Sequence, residues 1–136
     1  MVQKNGGTDM LVRNILEESV CKFGEVKAVR WLNKKEIMER SYLELMENVV
    51  FTRKGLLAEG FEGKHIALIG TSSVEWMESY LGIITGCTTA VPLDAALPCE
   101  DLIDLLNRSD SAALFLSPKH RPYLEAFLAN CPKLQK

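Results

Sequence analysis

The run His65-Ile-Ala-Leu-Ile-Gly70 constrains this chain more than any other feature, because four apolar residues follow one another with no polar residue between them. A strand with one wet face alternates apolar and polar residues, whereas a continuous apolar run marks a strand covered on both faces, as in a parallel sheet. Parallel neighbours cannot be joined by a tight turn, so helices must carry the chain between them. The downstream sequence meets that demand. Ser72-Ser-Val-Glu75 has a capping-box pattern, and Trp76, Met77, Tyr80, Leu81 and Ile84 follow at helical spacing up to a stop at Gly86. Thr88-Thr-Ala-Val-Pro92 reads as a short β-branched strand with proline at its far end. Pro98 suits a first helical turn, Glu100 and Asp101 complement the helix dipole, and Leu102, Ile103, Leu105 and Leu106 complete the helix. Ala112-Ala-Leu-Phe-Leu-Ser117 reads as a third parallel strand, and residues from Arg121 to about Ala129 as a closing helix. The last residues, Cys131 to Lys136, stand where a further strand is expected.

The first part of the chain has a different rhythm. Val12, Ile15, Leu16 and Val20 predict an amphipathic helix that starts after Thr8-Asp9 and stops at Phe23-Gly24. Ala28–Trp31 and Glu36–Ser41 flank the polar Asn33-Lys34-Lys35, which predicts a small antiparallel hairpin. Ser41-x-x-Glu44 is a second capping box, followed by a helix from Tyr42 to about Glu59 with Leu45, Val49, Leu56 and Leu57 on its buried face and Gly60 and Gly63 at its exit. The expected fold class is therefore α/β: an open, mostly parallel sheet with helices on both faces, plus a small antiparallel hairpin near the N-terminus. Residues 1–10 are expected to be a flexible lead-in to a single folded region over 11–136.

Composition removes several functions. Sixteen Lys and Arg against eighteen Asp and Glu leave a formal charge of −2, without the basic excess that contact with nucleic-acid phosphates demands. Cys21, Cys87, Cys99 and Cys131 form no C-x-x-C pair, so they are expected to be reduced thiols of a cytoplasmic protein. The polar, glycine-bearing start lacks the apolar core of a secretory signal. The longest charge-free run, Ser79 to Leu93, contains Gly82, Gly86 and Pro92 and is shorter than the roughly 20 residues that span a bilayer.

Ligands of open α/β sheets gather outside the carboxyl ends of the strands, so the segments after Gly70, Pro92 and Ser117 are the ones to search. Gly70-Thr-Ser-Ser73 precedes a helix and could hold a phosphate on free amides. With Ser72 as the cap, however, Glu75 folds back over those amides and a carboxylate already occupies the seat. Asp94, Glu100 and Asp101 cluster near the next helix start, where the dipole alone accounts for acids. No G-x-G-x-x-G or Walker sequence occurs. His65 and His120 are expected to be solvated, Trp31 and Trp76 to serve packing, and Cys87 and Cys99 to be buried on either side of a central strand. Lys133–Lys136 reads as a solvated tail.

Several segments taken in order resemble a known family. Gly63-Lys-His-Ile-Ala-Leu-Ile-Gly70, Ser73-x-x-Trp76 with Tyr80-Leu-Gly-Ile-Ile-Thr-Gly86, Ala90-Val-Pro-Leu-Asp94 and Leu97-Pro-x-Glu-Asp-Leu102 are similar to the N-terminal portion of AMP-forming acyl-CoA synthetases, in the adenylate-forming superfamily. The long-chain fatty-acid CoA ligase type is the most similar. Ser41-Tyr-x-Glu-Leu45 upstream and Leu106-Asn-Arg-Ser109 downstream fit the same frame, so the resemblance runs from about Leu11 onward. It implies a ligase of fatty acid metabolism that uses ATP and Mg2+ to make an acyl-adenylate and coenzyme A to make a thioester. The family's phosphate loop, adenine motif, ribose-binding acid and catalytic lysine have no matching residues here. No catalytic, cofactor-binding or metal-binding residue is thus carried over, and the chain is expected to be a truncated N-terminal subdomain that needs the remainder of its parent enzyme. The resemblance makes Pro92 and Leu93 the wall of a substrate and pantetheine channel. Fatty acid and coenzyme A are expected as partners of the full-length protein only, and the parent is allowed a peripheral place on a membrane. A fragment of a larger sheet should expose an apolar surface or a free strand edge, through which a homodimer is expected. The alternative is a stand-alone α/β binding or regulatory module on an adenylation-like scaffold.

Overall fold

In the computed structural model, residues 11–136 are described and divide into two compact units, with the boundary between Met46 and Glu47. In the first unit, helix α1 (Val12–Phe23) starts after an extended Leu11 that provides no side-chain cap. The expected start at Thr8-Asp9 lies outside the described residues. No residue of α1 is fully buried. Strands β1 (Lys27–Asn33) and β2 (Glu36–Ser41) form the antiparallel hairpin, in which Trp31 faces Met38 and Leu32 faces Ile37 across the ladder. Its two-residue turn uses Lys34 at φ 58°, a left-handed conformation that a reversed hairpin turn requires. Helix α2 (Tyr42–Ala58) follows at once. The capping box forms as the sequence predicts: the Ser41 amide donates to Glu44 Oε2 at 2.7 Å, and the Glu44 amide donates to Ser41 Oγ at 3.2 Å.

The second unit contains the sheet. Leu45, Val49 and Leu56 of α2 are buried, but Leu57 is 56% exposed and does not belong to the buried face. Leu57 lies only one residue past Leu56, about 100° round the helix, so the face that buries one turns the other toward solvent. The helix ends where Gly60 takes φ 80°, so that the Phe61 amide reaches Leu56 O at 3.0 Å and the Gly60 amide reaches Leu57 O at 3.1 Å. This pair of hydrogen bonds satisfies two orphan carbonyls, and Phe61 folds back to pack with Leu56.

Strands β3 (His65–Ile69), β4 (Thr89–Leu93) and β5 (Ser111–Leu116) form a parallel sheet in the order β4-β3-β5. The central strand is β3, not β4 as the cysteine reading assumed. Pro92 pairs opposite Leu68 from a strand with one partner among the described residues, where a missing N–H is cheapest. Helices α3 (Val74–Ile84) and α4 (Cys99–Arg108) make the two crossovers. Because the first moves the chain one way across the sheet and the second moves it back past β3, right-handed crossovers put the helices on opposite faces. The core records this. Ile66 and Leu68 pack with Leu56 and Ile83, while Ala67 and Ile69 pack with Leu102, Leu106 and Phe127. Burial of each large aliphatic side chain of β3 contributes about 1.5–3 kcal/mol, and it occurs on both faces, which is why the run never alternates.

The closing helix differs from expectation. Pro118 and Pro122 remove amide donors, so residues Pro118–Tyr123 form a 3-10 segment before the short helix α5 (Leu124–Asn130). The residues after it are not a solvated tail. Leu134 is buried, the Gln135 amide donates to Ala112 O at 2.8 Å, and the Leu114 amide donates to Lys136 O at 2.9 Å. This segment thus begins a parallel pairing along the outer edge of β5. Lys133 to Asp110 (2.5 Å) and Lys136 to Glu59 are its ion pairs.

Candidate functional site

The carboxyl ends of β3, β4 and β5 meet at one end of the sheet, and three segments rise from them: 70–73, 94–98 and 117–120. The first leads into α3. Its cap is Ser73, not Ser72: Ser73 is extended and its Oγ accepts from the Trp76 amide at 3.0 Å. The capping box read from the sequence therefore shifts by one residue, and position N3 is Trp76 rather than Glu75. Glu75 cannot fold back as a box carboxylate. The helix start is capped by a neutral hydroxyl, and no box carboxylate fills the seat expected there.

The second segment is shaped by Asp94, whose Oδ1 accepts from the Ala96 amide at 2.9 Å. That local turn accounts for the aspartate as structure. Glu100 and Asp101 are exposed in the first turn of α4. Among the described residues, no group of three or more His, Cys, Asp or Glu side chains is arranged to hold a metal ion.

The third segment carries the largest departure from expectation. His120 is buried, and both ring nitrogens are engaged: Nε2 lies 2.8 Å from Ala95 O, and Nδ1 lies 2.8 Å from Ser117 Oγ. A carbonyl only accepts, so Nε2 carries a proton toward Ala95 O, while the serine hydroxyl can serve Nδ1 as donor or acceptor. His120 therefore ties the segment after β4 to the segment after β5. The tie continues to β3, since the Ser117 amide donates to Ile69 O at 2.9 Å. A faint signal existed in the sequence. In Ser117-Pro-Lys-His120 a hydroxyl precedes an imidazole by three residues, the spacing that eclipses in a 3-10 turn. His65, by contrast, is exposed as expected, with Nδ1 2.6 Å from Ser109 O.

Two clefts open between these segments. The larger, about 500 Å³, lies between the ends of β3 and β5 and is lined by Leu68, Gly70, Trp76, Ser79, Phe115 and Ser117 among others. The smaller, about 390 Å³, lies between the segments after β3 and β4, with Thr71, Leu93, Asp94 and Lys119 on its wall. Trp76 borders both, half-buried and stacked on Tyr80 with ring centroids 5.3 Å apart. It packs against the core as expected and also presents surface to the clefts. Gly70 lines both clefts, and a Cβ there would approach Ser117 Cβ to 3.2 Å, a tight contact. Of the two channel residues named from the sequence, Leu93 lines the smaller cleft and Pro92 is exposed beside it. Cys99 is half-buried and Cys87 is exposed, so burial holds in part for the first and fails for the second. Cys131 is buried, and burial with Cys99 nearby pushes its thiol pKa up.

Residues 16–136 match the protein family described as AMP-binding enzyme. The chain belongs to that family. Among solved structures, its fold is similar to that of the anthranilate CoA ligase AuaEII in complex with anthranoyl-AMP. That match has a TM-score of 0.79 and 20% identity, and it covers 90% of this chain and 23% of the other. A fatty acyl CoA synthetase of Mycobacterium tuberculosis gives 0.80 and 18% over 90% of this chain and 25% of its own. The didomain of a carboxylic acid reductase from Segniliparus rugosus, in complex with AMP, gives 0.79 and 16% over 95% of this chain and 21% of its own. Identities this low show a shared fold. The chain spans about a quarter of the length of these solved structures. No curated protein matches it by sequence.

Proposed function

We propose that this chain supplies the N-terminal part of an ATP-dependent, AMP-forming acid–thiol ligase, with long-chain fatty acids as the preferred acids. The family match across residues 16–136 carries this reading. In such a reaction a carboxylate oxygen bonds to the α-phosphorus of ATP and pyrophosphate leaves. A thiolate then attacks the acyl carbon and AMP leaves. Mg2+ and coenzyme A are the expected co-reactants of the parent enzyme, and the rest of that enzyme is the expected partner of this chain. Leu93, on the smaller cleft, and its neighbour Pro92 are proposed as channel wall.

The reading also takes the protein to be cytoplasmic and the isolated chain to self-associate through uncovered apolar surface; Phe51, 80% exposed, is one such residue. Among the described residues, no helix is long and apolar enough to cross a membrane. The decisive assay is acid-dependent exchange between ATP and labelled pyrophosphate. The 136-residue chain alone should show none, and a longer protein that adds the missing three-quarters should show exchange stimulated by fatty acids. Adenylate formation by the isolated chain would defeat the reading.

A further inference from the structure

We propose that the larger cleft is a binding site for a non-anionic aromatic molecule that carries a hydrogen-bond donor. Its place follows from topology. The chain leaves β3 toward β4 on one side of the sheet and later returns past β3 to β5 on the other, so the segments that follow β3 and β5 diverge. Open α/β sheets hold ligands in the crevice that such a divergence creates. A cavity of about 500 Å³ is present there, inside the range of roughly 300–1,000 Å³ typical of small-molecule pockets.

The lining decides the ligand class. Phe115 borders the cavity from the sheet and Trp76 from the helix, and Trp76 is held by Tyr80, whose ring lies within 8° of parallel to it. An aromatic ring in this space meets two aromatic surfaces and gains more than its buried area alone provides. Ser117 Oγ bonds His120 and Ser73 Oγ accepts from the Trp76 amide, so the side-chain groups left for a ligand are the Ser73 O–H, the hydroxyls of Thr71 and Ser79 and the carboxylate of Glu75. Among the described residues, no lysine, arginine or histidine lines the cavity. A donor is therefore satisfied there, and Glu75, the charged side chain among the described lining residues, disfavours a carboxylate or phosphate. The cleft selects against the acid that the proposed ligase would activate, and it stands as a separate site whether or not that reading survives.

The chain contains two tryptophans, which makes the test direct. Indole N–H signals of the 15N-labelled full chain would be followed by NMR during titration with three probes of one shape: 3-phenylpropionamide, 2-phenylethylamine and 3-phenylpropionate. The amide and the amine should shift the Trp76 signal saturably and leave Trp31 unmoved. The acid should bind at least about tenfold more weakly than the amine, since one unit charge faces the probe with opposite signs. Glu75→Gln, at an exposed position, should shrink that ratio to about threefold or less. Ser79→Phe should abolish all three titrations by filling the space; if that variant does not fold, the Glu75→Gln comparison still decides. Binding of the acid as tight as that of the amide, or no saturable Trp76 shift with any probe on the folded chain, would overturn the proposal.

Discussion

Gly82 shows how one missing methyl sets the distance between two helices. A Cβ at this position would lie 2.5 Å from Thr52 Cβ and 3.2 Å from Val49 O, so α3 approaches α2 closely only because the residue is glycine. Two effects oppose each other in Gly82→Ala. Helix propensity favours alanine by about 1 kcal/mol, whereas overpacking costs about 1–3 kcal/mol, and Thr52 Cβ is fixed to its own helix and cannot rotate away. The overpacking should dominate. Gly82→Ala is expected to lower the urea midpoint, and Gly55→Ala, in the exposed last turn of α2 with nothing within 4 Å of the new methyl, to raise it, adding about 0.5–1 kcal/mol of stability. A midpoint that rises for both variants would refute the close approach. The buried His120 belongs to the same scale. Its burial was not legible in Lys119-His120-Arg121, because two flanking cations read as a wet surface, and only the carbonyl of Ala95, 25 residues away, gives the ring a reason to turn inward.

Helix starts were the most legible elements and also the place where a one-residue error changed the chemistry. At Ser41 the box closes in both directions. The amide of Ser41 stabilises the ionised carboxyl of Glu44 and holds its pKa below the ordinary glutamate value. A carboxyl whose folded pKa is depressed adds stability above its unfolded pKa and loses it as the pH falls through the folded value. Glu44→Gln should therefore flatten the acid limb of the stability curve between about pH 5 and pH 3 and leave the neutral-to-basic limb parallel to the parent, as thermal midpoints would record. At α3, Ser72 and Ser73 present the same residue type, and the sequence pattern favours the first because Glu75 stands three residues on. The backbone decides for Ser73. Ser73→Ala should cost about 1 kcal/mol and Ser72→Ala much less, a difference that chemical denaturation resolves. Equal losses would place the cap elsewhere.

The two units differ in how they are held together. The second has apolar clusters on both faces of its sheet, with Ile66, Ile69, Leu102 and Phe127 almost wholly removed from solvent. The first contains α1, which has no fully buried residue, and a hairpin whose facing Leu32 and Ile37 are largely exposed. Local opening should follow this contrast. Amide hydrogen exchange is expected to be fastest in α1 and slowest in β3, where bonds run to strands on both sides; protection of α1 equal to that of β3 would contradict it.

What the sequence by itself determined is everything that depends on a residue and its near neighbours. The apolar run of β3, the hairpin, the capping box at Ser41, the glycine exit of α2 and the alternation of strands with helices were all readable, and together they specify an α/β sheet and point to the family. Tertiary structure decided what depends on residues far apart in the chain. It placed β3 rather than β4 at the centre, because strand order is set by which crossover returns past which strand. It buried His120 between Ala95 and Ser117, turned Leu57 outward, and laid residues 134–136 along the edge of β5. Each outcome rests on a partner at least 12 positions away or on the packing of a whole face, and no local periodicity encodes such a partner.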